Sequence, residues 1–206
     1  ETFNQPKAIR HKESSIKAEV SYLNKLTLNA EMFQRKVLED VFPIAINNSL
    51  LLKNFASHKT SGIELGLSWN IFNNDVNFNS SLSFFKVKTI VSKVQTGYDS
   101  TPVAGFKNIH ESIISGEPFG VIVGKAYLRD DHHNLVIGED GFPLVDPSLR
   151  IIGNPTPDFV LKSWNSLSWK WFAINLALEW KKGGDIWNGT AAVLDYYGRS
   201  KASADL

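Results

Sequence analysis

Histidines and carboxylates meet most closely at Asp130-Asp131-His132-His133-Asn134, the nearest thing in this chain to a metal-ligating cluster. Zinc or calcium needs several ligands converging on one point, whereas adjacent residues of an extended segment point to opposite faces. The run therefore reads as a polar turn, and no metal is expected. Gly138-Glu139-Asp140-Gly141 lacks the repeated acidic spacing and closing Glu of a calcium loop, so it too reads as a turn. Ser, His and Asp all occur, yet no Gly-x-Ser-x-Gly elbow is present to carry a hydrolase nucleophile. Gly183-Gly184 lacks the Gly-Lys-Ser/Thr ending of a phosphate loop. No catalytic residue and no cofactor are expected. What remains is aromatic chemistry. Tyr98, Phe119, Tyr127 and Trp187 fall in segments expected to be loops, where an exposed ring can stack on the apolar face of a sugar. The competing role for such rings is to pin long loops to one another.

The elements that must position these rings are constrained by composition. The 206 residues carry 22 Lys+Arg against 21 Asp+Glu, 43% apolar residues, 12% aromatics and no cysteine. Zero cysteine excludes a disulfide framework and any thiolate site. A net charge of +1 lacks the basic excess of a phosphate-binding face, so no nucleic-acid partner is expected. No apolar run reaches the roughly 18 residues of a membrane-spanning helix. Alternating strands escape that test. The chain starts Glu1-Thr2-Phe3-Asn4 and ends Ala204-Asp205-Leu206 with neither a leader nor a structural stop, which reads as part of a longer polypeptide.

Period-two alternation is the strongest local signal. Ile16, Ala18, Val20 and Tyr22 alternate with Ser15, Lys17, Glu19 and Ser21. Leu26, Leu28, Ala30 and Met32 repeat the pattern after a tight turn at Asn24-Lys25. Ile63, Leu65, Leu67, Trp69 and Ile71 then face away from Glu64, Gly66, Ser68 and Asn70, and a turn at Asn73-Asn74-Asp75 leads to Val76, Phe78, Leu82 and Phe84. A third pair turns near Trp169-Lys170, with Phe172, Ile174, Leu176, Leu178 and Trp180 on one face. The predicted hairpins occupy about 13–37, 61–91 and 158–182. Between and after them run long linkers, about 38–60, 92–157 and 183–206. Strict alternation of tight turns with long loops suits an outer-membrane barrel, whose strands need about 9–11 residues to cross. The non-apolar faces also suit a crowded lumen, being largely Asn, Ser, Gly and Ala. Trp69, Trp180, Trp169 and Trp171 lie where an interfacial aromatic girdle would sit.

Five motifs add a resemblance. Ser61-Gly62-Ile63-Glu64-Leu65, Gly116-Glu117-Pro118-Phe119-Gly120, Gly138-Glu139-Asp140-Gly141-Phe142-Pro143, Ile152-Gly153-Asn154-Pro155-Thr156-Pro157-Asp158-Phe159 and Lys182-Gly183-Gly184-Asp185-Ile186-Trp187-Asn188 occur in the order of the SusC/RagA group of TonB-dependent outer-membrane transporters. The chain resembles the latter part of that barrel across nearly its whole length. The resemblance implies an all-β fold, an antiparallel transmembrane barrel portion of about six strands out of a 22-stranded plugged barrel, with long extracellular loops. It further implies location in the cell outer membrane among lipid, and import of oligosaccharides or peptides. The implied partners are a SusD-like substrate-binding lipoprotein on the outer face and TonB, acting through an N-terminal plug and TonB box absent from this sequence. Where the family often has an Asp-rich, Gly-containing turn, this chain has Asp130-Asp131-His132-His133-Asn134. The alternative architecture is a soluble, lectin-like jelly roll presenting aromatics to glycans.

Overall fold

The computed structural model describes residues 5–23, 25–46, 49–72, 75–98 and 100–204. Six long strands build one antiparallel sheet: β1 (Arg10–Tyr22), β2 (Leu26–Ile46), β3 (Ser49–Phe72), β4 (Val76–Val94), β9 (Pro157–Trp169) and β10 (Phe172–Gly183). Their spatial order is β1-β2-β3-β4-β9-β10, so each hairpin lies beside the next and β1 and β10 are left as open edges. Between β4 and β9 the chain forms a second sheet from β5 (Ser100–Phe106), β6 (Ile109–Ile114), β7 (Val121–Gly124) and β8 (Arg150–Gly153). After β10 come two short helices, α1 (Gly189–Tyr196) and α2 (Lys201–Ala204). No helix among the described residues is long and apolar enough to cross a membrane. This is an antiparallel barrel portion, unclosed within the chain.

Register places the alternating residues as their spacing demands. Ala30 pairs with both Ala18 and Leu65, and Leu67 with both Leu28 and Leu82, so one face collects most of the apolar residues, with Ser80, Ser163 and Asn165 among them, while Phe33, Phe85 and Trp164 lie on the other. That face is open: Leu65, Leu67, Trp69, Leu176 and Leu178 are all exposed. The opposite face is crowded. A methyl group on Gly62 would fall 2.5 Å from the Phe33 ring, and Gly66, Ser68 and Asn70 are half-buried. Carboxylate–ammonium pairs cross this polar face, from Lys17 to Glu31 and from Glu179 to both Lys162 and Lys181, at 3.0 Å each. A lectin-like sandwich would cover the apolar face with a second sheet. Here the second sheet packs at the upper end of the strands instead.

The tight turns lie together at the lower end. Asn24, Asn73 and Asn74 are outside the described residues, but Tyr22 pairs with Leu26 and Phe72 with Asn77, which closes both hairpins there. The third turn is Lys170-Trp171, one residue beyond the expected position, with Lys170 at φ 52°.

Above the apolar band the structure departs from the expected loop over 38–60. That segment is strand, because β2 and β3 continue as one hairpin whose last pair is Ile46–Ser49. A bulge between Val37 and Asp40 marks the change. Glu39 sits there at φ 58°, its N–H donating to Ser57 Oγ (3.1 Å) and its carbonyl accepting from Asn54 Nδ2 (2.6 Å). Such a bulge re-aims the strand. Beyond it Ile44, Phe55 and Ala56 join Val91 and Ile113 in a buried cluster between the two sheets. The hairpin continues because it has this core to cover.

Candidate functional site

The upper end of the molecule carries the candidate residues, in three settings. Tyr98 and Phe119 belong to the margin of the buried cluster. The Tyr98 ring meets Phe55 edge-on at 5.4 Å. Phe119 packs on Phe42 at 6.0 Å and on His58 at 5.2 Å, while its N–H donates to Thr89 O. In this geometry both rings tie the 92–120 segment to the wall. Burial pushes the His58 imidazole below its ordinary pKa, with Asp40 at 3.7 Å opposing that shift.

Trp187 occupies the second setting. It stands 41% exposed, edge-on to Phe106 at 5.6 Å, and Phe106 is itself 68% exposed. The two rings border a cleft of about 350 Å³, also lined by His110, Glu111, Ile122 and Asp185. Local sequence builds this cleft. Gly105, at φ 119°, turns β5 so closely over β6 that an added methyl would meet His110 Cα at 2.7 Å. Asp185 clasps the segment after β10 to the segment after β8: its N–H donates to Asn154 O (2.8 Å), and its carboxylate accepts from Asn154 N–H (2.7 Å). Asn188 then caps α1, its Oδ1 accepting from Ala191 N–H at 3.0 Å. Phe106 and His110 were not singled out by the sequence. Phe106 reads there as one more apolar residue of a linker, and only the pairing Phe106–Ile109 turns it outward beside Trp187.

Tyr127 lies in the third setting, a short arm over residues 126–146. Three segments of this arm bond in a ring. Leu128 N–H donates to Leu144 O (2.7 Å), Leu144 N–H to Val136 O (2.9 Å), and Val136 N–H to Leu128 O (3.0 Å). The three positions are eight residues apart, a spacing visible in the sequence once its meaning is known. Tyr127 is exposed on the arm's side, as are Ile137 and Phe142. Aspartates fix the turns. Asp130 Oδ1 accepts from the N–H groups of Asn134 (2.8 Å) and His132 (2.9 Å), and those bonds hold its carboxyl below the usual range. Asp146, buried at the arm's base, is lowered by the Ser148 N–H and by Arg150 Nε, both of which donate to it. The Asp130–His133 run is thus tied up in its own turn. No group of three or more His, Asp or Glu arranged to hold a metal occurs among the described residues.

The structure therefore brings Tyr98 and Phe119 to the inter-sheet core and leaves Trp187 and Tyr127 facing outward at two separate places. None of these contacts positions a nucleophile against a base. The geometry suits holding a ligand.

The class this fold matches is the TonB-dependent outer-membrane β-barrel: six long antiparallel strands like a stretch of its wall, with further structure at one end. The similarity is of the SusC/RagA type, as the sequence motifs imply. In sequence the chain is 26% identical over 211 residues to TonB-dependent receptor P3 of Formosa agariphila, covering 89% of this chain and 21% of that protein. Among solved structures it superposes on the RagAB peptide importer in its closed-closed state with a TM-score of 0.65, at 16% identity, covering 85% of this chain and 21% of that one. The open-open state of the same importer gives 0.60 at 18% identity, covering 84% and 20%. No protein-family model matches the chain. The chain spans about a fifth of the length of these relatives, a receptor and an importer.

Proposed function

We propose that this chain forms barrel wall and outer-face ligand-holding structure in a TonB-dependent importer of oligosaccharides or peptides, working with a SusD-like substrate-binding lipoprotein and without enzymatic turnover. The observation that carries this reading is the division of the six-stranded sheet into an open apolar face and a crowded polar face, with a built cleft at the end opposite the tight turns. A wall of this kind satisfies its backbone ladder in lipid once neighbouring strands close it. Its polar face lines the lumen beside a plug supplied elsewhere in the protein. The outer cleft holds substrate against the exposed surfaces of Phe106 and Trp187 before energised passage, and the lipoprotein covers the upper surface. The structured arm over 126–146 supports a partner there, since long ordered insertions in compact folds are usually functional. Replacing Phe106 and Trp187 together with Ala in the full-length protein tests the cleft. The expected result is about a tenfold loss of substrate affinity and uptake, with the barrel inserted normally. Uptake unchanged by the double substitution would place the ligand elsewhere.

A further inference from the structure

The apolar face carries a charge pattern that the transport reading does not use. Six lysines lie on it: Lys12, Lys36, Lys59, Lys86, Lys88 and Lys182. Register fixes their shared face, because Lys36 pairs with both Lys12 and Lys59, Ser61 with Lys88, Ile63 with Lys86, and Phe159 with Lys182. All six are exposed, and none has an ion-pair partner among the described residues. From these lysines down to the tight turns, the same face contains neither Asp nor Glu among the described residues. The opposite face is different, with its lysines and carboxylates mixed and paired.

The height of the lysines is as regular as their sign. Lys12, Lys36, Lys86 and Lys182 each lie ten positions from the end of their strand at a tight turn, namely Tyr22, Leu26, Val76 and Phe172. Ten residues at about 3.3 Å each, tilted by about 45°, rise about 23 Å, close to the roughly 25 Å apolar band of an outer-membrane barrel. The lysines thus form a belt at the level where headgroups begin. Three of them, Lys12, Lys36 and Lys59, stand directly opposite one another in a cross-strand row, an arrangement that repels unless an anion sits against it. Beside that row, and reaching Lys86 and Lys88, runs an open groove of about 530 Å³, lined by Ser14, Gln34 and Ser61 and, one step nearer the turns, by Ile16, Met32 and Ile63.

We propose that this belt binds the phosphates of a phosphorylated glycolipid in the outer leaflet, with its sugar hydroxyls against the Ser14, Gln34 and Ser61 groove. The placement rests on the proposed topology, in which the tight turns face the periplasm. Charge complementarity supplies the anion, and the row of Ser14, Gln34 and Ser61 between the two lysine clusters, with apolar side chains below it, suits a glycolipid whose sugar spaces its phosphates better than a single-phosphate lipid.

The test is retention of lipid by the purified, detergent-solubilised full-length protein. The probes are a phosphorylated glycolipid, its enzymatically dephosphorylated form, and phosphatidylglycerol, each read by native mass spectrometry. Lys36→Gln, Lys59→Gln and Lys88→Gln combined should weaken retention of the phosphorylated glycolipid at least about tenfold. The dephosphorylated form should bind weakly to both proteins. Lys17→Gln with Lys162→Gln, on the polar face, should leave retention unchanged. Full retention by the triple variant, equal binding of the dephosphorylated form, or preference for phosphatidylglycerol would each overturn the proposal. Because retention requires neither substrate nor plug movement, it is read independently of uptake, and failure of the transport reading would leave this result standing.

Discussion

Leu67 and Ser68 are neighbours in β3 with opposite surroundings: Leu67 is exposed on the apolar face, and Ser68 is half-buried on the polar one. Arg at Leu67 puts a cation into hydrocarbon and should cost about 2–4 kcal/mol near the midplane, read as loss of folded barrel in a lipid-refolding titration. Arg at Ser68 should be much milder, since the polar face already accommodates Lys17 and Arg35. Equal costs would mean that both faces are buried in protein. Asp146 offers a second residue-scale test. Its folded-state pKa is lowered by the Ser148 N–H and by Arg150, so its stabilising effect is fully present above the unfolded carboxylate value of about 4. That effect is lost as pH falls through the lower folded value. The base of the arm should therefore open on acidification below about pH 4, visible as faster backbone exchange at Ser148, and Asp146→Asn should remove this pH dependence. At this scale the sequence was only half legible. The outward aromatic Trp187 stood out by type, whereas its neighbour Phe106 needed the β5–β6 register to become visible.

The strands were legible because each spans one environment on each face, which makes period-two alternation long and clean. Legibility stops where the environment changes. Past the bulge at Glu39, β2 and β3 leave the band and cover an internal cluster, so Phe42, Ile44 and Phe55 no longer alternate against lipid. With that period lost, 38–60 reads as a loop in the sequence although it is strand. The pairing of β7 with β8 was hidden for another reason, since the whole arm separates its two partners in the chain. Topology is tested on the hairpin ends. With Asp75→Cys in an otherwise cysteine-free protein, a membrane-impermeant thiol reagent should not reach the tight turn in intact cells. Glu139→Cys, on the arm, should label readily. Labelling at Asp75 from outside would invert the proposed orientation.

For the whole molecule, the two sheets share the cluster built on Val91 and Ile113, so the upper structure is packed into the wall and not merely strung above it. Removing residues 112–157 would cut through that cluster. The arm alone is separable, because Asp146 N–H donates to Ala126 O at 2.9 Å and its two ends are already adjacent. Replacing residues 127–145 with a two-glycine link should leave the barrel inserted and heat-modifiable while abolishing co-purification of the lipoprotein. Unchanged co-purification would move that interface off the arm. The apolar residues of this region divide accordingly: Ile113 joins the inter-sheet cluster, Val121 and Val123 are buried within β7, and Ile137 and Phe142 remain outward.

The ring of bonds among Leu128, Val136 and Leu144 has no free end. Peeling any one segment away breaks two of the three bonds at once, so the arm has no low-energy fraying mode of the kind a hairpin has. Its three ring amides should thus exchange with solvent deuterium at one common rate, as a single cooperative unit. A small device of about twenty residues thereby presents its outer side chains on a frame that is either whole or entirely open.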